Sequence, residues 1–524
     1  MKLILAAALA ANVCGIDGAI DPPRPLASET CPACEALDRF YAAREGRMAW
    51  TGPIGAGRFA ELLDALRTAT AHGLDPDDYE LARLEASRPE RADRLLDEAA
   101  SRAWLTLAHD LAHGRLAPRT IEPGWTLPRR EIDLAARLER ALEFDAIAES
   151  LALLAPQDDG YRTLQRAYRG FLALAQKGGW PAVSAGPALH PGDRSGRVEQ
   201  LRARLEATGH VSRQVAASER SLFDADMADA VLRIQQEAHL EDDGIAGEAF
   251  LAWLAVPADY RARQLAANLE RRRWRHGRPD MQAGLGRSLR VNIPDFTLDV
   301  LEDSSVAEQY RVIVGRLSRP TPVFSAQLRY IVLNPWWETP NSLAVRDELP
   351  VFRRDPDAVE RLGFQVLDGD GMIVDPVTID WDEVPSNPFP YRLRQAPGPL
   401  NALGQVKFIF PNPHNTYLHD TPARELFAHS VRAFSSGCMR VERPVDLAHW
   451  VTAGLTGWTD KHVDAALAAG QEMRVDMDTP IPVDVVYWTA IPEGRTGIRL
   501  VADLYAKDDI IITALSGGSL EDQE

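Results

Sequence analysis

Tyr417-Leu418-His419-Asp420-Thr421-Pro422 and Arg432-Ala433-Phe434-Ser435-Ser436-Gly437-Cys438-Met439-Arg440, whose cysteine lies nineteen residues beyond the histidine, set the reading of the whole chain. Tyr417-Leu418 is a short β-type run, and His419 ends it, so the imidazole sits on a rigid element. Ser435-Ser436-Gly437 puts small residues before Cys438. The backbone there can approach a substrate closely and present N–H groups to an oxyanion. Leu418 and Phe434 are apolar neighbours that would keep such a site dry. A lone cysteine with a histidine one segment upstream suits thiolate acyl transfer. The histidine lowers the thiol pKa, the sulfur attacks a carbonyl, and the imidazole shuttles the proton. A metal set from His414, His419, His429 and Cys438 is the rival, and it lacks tight ligand spacing.

Around this pair the chain is β-rich. Leu289–Ile293, Phe296–Leu301, Tyr310–Val314, Tyr330–Leu333, Lys407–Phe410, Val483–Trp488 and Ile498–Val501 are short β-branched or aromatic runs punctuated by Pro, Gly, Asn and Asp. Pro444–Leu455 and Lys461–Glu472 read as helices laid against the sheet. The stretch 336–400 is long, irregular and rich in proline. A connection of that length inside a domain is usually a lid or binding loop, or a cover for a sheet edge. The catalytic segment is expected over 286–515, with 336–400 as a lid-like insertion.

Residues 30–215 read as a helical scaffold. Phe59, Leu62, Leu63 and Leu66 fall on one helical face. Further helices are expected at Leu95–His113, Ile132–Leu142, Tyr161–Gln176 and Arg197–Thr208. A compact helical unit and a linker helix follow over 216–285, with Met227, Ala230, Val231, Ile234 and Ala238 at helical spacing. The fold class is therefore multidomain α+β: a helical N-terminal scaffold, a small three-helix module, and a β-rich catalytic domain with flanking helices.

Length and composition agree with several domains: 524 residues exceed what one core serves, and about two to four are expected. The net charge of −18, spread along the chain, leaves no basic stripe for phosphates, so nucleic acid is not a partner. Residues 1–20 carry one lysine before a short apolar run and the small-x-small Ala8-Leu9-Ala10, as in a secretory signal. Export would put the four cysteines in an oxidising compartment. Cys31 and Cys34 are then expected to pair locally. Cys14 leaves with the signal, and Cys438 remains as the free thiol. The polar tail 516–524 is expected to be disordered.

Two resemblances add to these readings. Ala230-Val231-x-x-Ile234-Gln235 with His239-Leu240-x-x-Asp243-Gly244-x-x-Gly247 is similar to a three-helix peptidoglycan-binding module. Asn401-Ala402-Leu403-Gly404-x-x-Lys407-Phe408-x-Phe410-Pro411-Asn412, then the His419 and Cys438 stretches, resembles the L,D-transpeptidase (YkuD-like) catalytic domain, in its large multidomain periplasmic form. Thr321-Pro322-Val323-Phe324, Asn334-Pro335-Trp336-Trp337, Tyr41-x-x-Arg44 to Trp50 and Leu74-Asp75-Pro76 also fit.

The resemblance implies a periplasmic enzyme acting on peptidoglycan stem peptides. Cys438 is the nucleophile and His419 the base and acid. The Ser436 backbone carbonyl orients the histidine, and the Gly437 and Cys438 N–H groups form the oxyanion hole. Arg440, Tyr417, Trp336 and Trp337 are its substrate-binding candidates. Many members carry histidine where this chain has Ser436; a carbonyl is present in either case. The implied product is a 3→3 cross-link with release of D-alanine. An L,D-carboxypeptidase, a protein-to-wall transferase, or a non-catalytic wall-binding protein are the alternatives. No metal or organic cofactor is implied. Other cell-wall synthesis enzymes are implied partners, and a carbapenem adduct is expected at Cys438.

Overall fold

A computed structural model describes residues 32–53, 55–125, 127, 130–275, 286–303, 305–494 and 497–517. The expected signal over 1–20, Cys14, Cys31 and the tail 518–524 lie outside the described residues. Cys34 is disulfide-bonded. The chain divides into two compact units. One holds the described residues of 32–121, 130–275 and 489–517; the other holds those of 122–127 and 286–488.

In the first unit, helices Pro32–Ala43, Ala56–Arg67, Arg94–His113, Leu134–Glu143 and Asp159–Gln176 share a core around Trp50, Phe59, Trp104, Leu138 and Leu164. Asp97 is fully buried, and its carboxylate accepts from the N–H groups of Ala49, Trp50 and Thr51 and from the Tyr41 hydroxyl. That single carboxylate explains why Tyr41 and Trp50 occur together in the sequence: both close on it.

Three readings of this unit change. The helix expected over 197–208 as scaffold is Gly196–Ala207. Its Val198, Leu201 and Leu205 pack with Phe223, Met227, Val231, Ile234 and Phe250, so it completes a three-helix module with Ala225–Ala238 and Glu248–Ala255. Gln235 fixes the turn of that module, accepting from Gly244 N–H and donating to Asp243 and the Ile245 carbonyl. The expected linker helix is Ala258–Arg273, and it is buried, with Gln264, Asn268, Glu270, Arg271 and Arg273 inside. Finally, the catalytic segment does not run to 515. The chain leaves the second unit at Trp488. Thr489 N–H donates to Asn268, and the buried Asp508 pairs with Arg271 and accepts from Gln264 and Thr489. Burying such carboxylates and guanidiniums is tolerable only because each meets a partner.

In the second unit the strands are β1 (Arg287–Asn292), β2 (Thr297–Glu302), β3 (Ser305–Gly315), β4 (Phe324–Leu333), β5 (Trp337–Glu338), β6 (Phe364–Leu367), β7 (Ile373–Val374), β8 (Arg392–Gln395), β9 (Val406–Ile409), β10 (Leu418–His419), β11 (Ala433–Ser435), β12 (Met439–Val441) and β13 (Met473–Val486). The main sheet runs β11-β3-β12-β10-β9-β4-β13-β1-β2. The long β3 pairs with β2 through its first half and with β12 and then β11 through its second, so the sheet closes on itself. Closure removes the open edges that would otherwise invite pairing with another chain.

The stretch 336–400 is not irregular. It forms a second sheet, β5-β8-β6-β7, with helices Leu349–Arg354 and Ala358–Arg361. Its core is Leu349, Phe352, Val359, Val366, Trp381 and Leu393. The prolines that read as breaks punctuate short elements. Asn401 pins both necks of the insert, donating to the Pro335, Gln395 and Ala396 carbonyls. Phe352→Ala should therefore destabilise the insert by about 3–5 kcal/mol. Hydrogen exchange is expected to show amides of 341–395 losing protection while those of β9, β10 and β12 keep theirs.

Candidate active site

The site is built on three adjacent strands. β10 pairs antiparallel with β9 and parallel with β12, with Lys407 opposite His419 and His419 opposite Arg440. Strand side chains alternate between faces. Leu418, Phe408, Met439 and Ile331 therefore share one face, and each is fully buried in the core. Lys407, His419 and Arg440 line up on the other. Cys438, one residue before β12, lies beside Tyr417 on that same face.

Cys438 is half-buried and is the free cysteine among the described residues. Tyr417, through its backbone and its hydroxyl, favours the ionised form of that sulfur. Burial raises the thiol pKa. Tyr417 and the charges of Lys407 and Arg440 oppose that rise. His419 is buried, and its pKa is lowered to about 3, first by desolvation and then by Arg440, with a smaller contribution from Lys407. The expectation that His419 lowers the thiol pKa in a resting ion pair is therefore corrected. At neutral pH the two groups stand as thiol and neutral imidazole, because their surroundings push them apart in opposite directions.

His419 Nδ1 lies 2.5 Å from the backbone carbonyl of Asp420. A carbonyl only accepts, so Nδ1 carries the proton and Nε2 is the lone-pair nitrogen. The orienting group is thus the Asp420 carbonyl, not that of Ser436 as the resemblance implies. Sequence reasoning quoted Asp420 without giving it a role. Its carboxylate is buried, accepts from the Gln405 and Thr421 N–H groups, and pairs with Arg424 at 2.5 Å. Gly404 packs flat against it at φ +59°, and a Cβ there would collide with the carboxylate. The glycine of Ala402-Leu403-Gly404 was the available signal.

The turn Ser435–Cys438 is held from within. Ser435 Oγ donates to the Cys438 carbonyl at 2.5 Å and accepts from Gly437 N–H at 3.1 Å. Gly437 N–H is therefore engaged, which corrects its expected place as an oxyanion donor. Gly437 itself has φ +116°, where an L side chain would be strained. Thr321 Oγ1 donates to the Gly437 carbonyl at 2.9 Å and accepts from Gly315 N–H, tying the turn to β3. Ser436 is exposed. Its hydroxyl accepts from Arg319 at 2.8 Å and Arg316 at 3.2 Å, and Arg319 also clasps Asp347 of the insert at 2.7 and 2.9 Å.

The structure thus brings together Cys438, His419, Tyr417 and Arg440. Arg440 Nε is buried with no hydrogen-bond partner among the described residues. Trp336 and Trp337 stand instead at the root of the insert. Trp336 N–H donates to Glu472, and its ring lies under Arg394. Trp337 packs on Phe364 within the insert core. His414 bonds the Gly124 carbonyl and stacks near Phe324, and His429 meets Phe434. No group of three or more metal-ligating side chains occurs among the described residues.

Residues 286–477 match the L,D-transpeptidase catalytic domain, 35–167 a scaffold domain, and 194–254 the family described as "Putative peptidoglycan binding domain". A Haemophilus influenzae protein named "Putative L,D-transpeptidase" is 34% identical over 309 residues, 59% of this chain. The chain spans 60% of that relative's length. An L,D-transpeptidase structure from Xylanimonas cellulosilytica is 13% identical with a TM-score of 0.19, covering 58% of this chain and 99% of its own. One from Stackebrandtia nassauensis is 12% identical with a TM-score of 0.20, covering 58% and 96%. Overlays that loose carry no structural inference.

Two outcomes follow from the site. Gly404→Ala should cost about 1–3 kcal/mol through its backbone strain alone and displace Asp420, so thermal melting should fall together with turnover. His419, with its pKa about 3, should stay neutral; its imidazole NMR shifts are expected to remain flat between about pH 5 and 8. Because the unfolded chain protonates this histidine near 6.5 and the native state does not, its contribution to stability falls as pH drops from about 6.5 to about 3.

Proposed function

We propose that the protein is a peptidoglycan L,D-transpeptidase that forms 3→3 cross-links through a Cys438 thioester, a reading supported by the match of residues 286–477 to the L,D-transpeptidase catalytic domain. The observation that carries this reading is the shared face of β10 and β12, with Tyr417, His419, Cys438 and Arg440 side by side. The peptidoglycan-binding-type module over 194–254 supports the same polymer as substrate.

In the proposed reaction, Cys438 Sγ attacks the carbonyl carbon at the L-centre of the third residue of a tetrapeptide stem. His419 Nε2 takes the thiol proton. An imidazole held at so low a pKa is a strong acid once protonated, so it readily passes that proton to the departing D-alanine nitrogen. The C–N bond breaks and a thioester remains. The side-chain amine of a second stem then attacks the thioester carbonyl, and its proton returns through His419 as the thiol leaves.

Cys438 N–H is the backbone donor assigned to the oxyanion, since Gly437 N–H serves Ser435. Arg440, with a buried unused donor beside the sulfur, is suited to a substrate carboxylate. The insert, tied to Ser436 through Arg319, would cover the bound stem. The site of action would be the periplasm. Among the described residues no helix is long and apolar enough to cross a membrane.

The test is intact-mass analysis after incubation with a tetrapeptide stem or a carbapenem. A covalent adduct is expected on the native protein and none on Cys438→Ser; an adduct on Cys438→Ser, or none on either, would count against the reading. Cross-link formation by His419→Ala should fall by about 100- to 10,000-fold, measured by muropeptide chromatography.

A further inference from the structure

Lys407 has no place in the mechanism above, yet it occupies the row that holds His419 and Arg440. It is half-buried, on the strand opposite His419. Its ammonium lies 4.2 Å from the centre of the Tyr417 ring. Tyr417 precedes Leu418, which pairs with Met439, so its ring stands beside Cys438, and its hydroxyl favours the thiolate there. An ammonium placed over a ring face is attracted to the ring and constrains where it lies.

We propose that Lys407 is a positioning residue for the nucleophile: its ammonium holds the Tyr417 ring so that the phenol meets the sulfur, and its charge favours the Cys438 thiolate over the thiol. The inference deepens the assignment of Cys438 as nucleophile and rests on that reading for its consequence in turnover. The groups facing the sulfur come from every neighbouring element. Tyr417 and His419 lie on β10, Lys407 on β9 and Arg440 on β12. Glu472 stands near Lys407 and Glu425 near Arg440. Arg316 and Arg319, paired with Asp347, reach Ser436 in the same turn.

The charge acts on both partners of the catalytic pair. Lys407 lowers the pKa of the thiol and also that of His419. Removing the charge should raise both. A merely structural lesion that admitted water would do something else: it would lower the thiol pKa by relieving desolvation while raising that of the imidazole. The direction of the thiol shift therefore separates the two.

The experiment is the pH profile of iodoacetamide alkylation at Cys438, read by peptide mass on the full chain. Lys407→Met is expected to raise the midpoint by about one pH unit or more, the range for an opposite charge removed from nearby. Lys407→Arg should restore it. A midpoint unchanged or lowered in Lys407→Met overturns the proposal. Should that variant not fold, Glu472→Gln keeps the acceptor for Trp336 N–H and removes a negative charge beside Lys407. Its midpoint should move down, and an unchanged or raised one overturns the proposal equally. Alkylation requires only the sulfur, so its outcome stands apart from adduct formation with a carbapenem, on which the functional reading falls or survives.

Discussion

The parallel pairing of β10 with β12 is the constraint on which the site depends. Two residues of each strand fix it: Leu418 against Met439 and His419 against Arg440. Slipping the register by one residue would send every side chain to the opposite face. Leu418 and Met439 are fully buried on the core side, so a slip would expose them and push His419 and Arg440 into the barrel interior. The packing of two apolar residues thereby locks the placement of the polar ones. β3, which pairs with β12 and also holds Thr321's partner Gly315, extends the same lock to the Ser435–Cys438 turn.

The electrostatics follow from that placement. A cysteine and a histidine on a half-enclosed face between two cations do not share a proton at rest, since burial favours both neutral forms and the cations oppose imidazolium. The cations lower the cost of forming a thiolate, and the depressed histidine becomes a strong acid when it is charged. The Asp420 carbonyl fixes its tautomer.

The insert and the first unit show how polar groups can organise large pieces of chain. Arg319 joins Ser436, beside Cys438, to Asp347 of the insert, and Asn401 closes the insert's neck. In the first unit, Asp97 gathers three backbone donors, and Asp508 anchors the last helix to Arg271. Each buried carboxylate spends its acceptor capacity on several donors, which is the condition for leaving water.

Local features were legible in the chain itself. Periodicity gave most helices and strands to within a few residues, because alternation and the 3.6-residue repeat are properties of neighbouring side chains. The small residues before Cys438 and the β-run ending in His419 are local signals of the same kind, and the stretch around them lies within the 286–477 match to the L,D-transpeptidase catalytic domain. Contacts between distant residues were beyond sequence alone. That Asp420 and not Ser436 faces the imidazole, that Ser435 consumes the Gly437 N–H, that 336–400 has its own core, and that 489–517 joins the helical unit all depend on which partner each polar or apolar group finds after the chain has closed. Those partners are chosen by burial and hydrogen-bond satisfaction across long loops, and only the tertiary structure decides them.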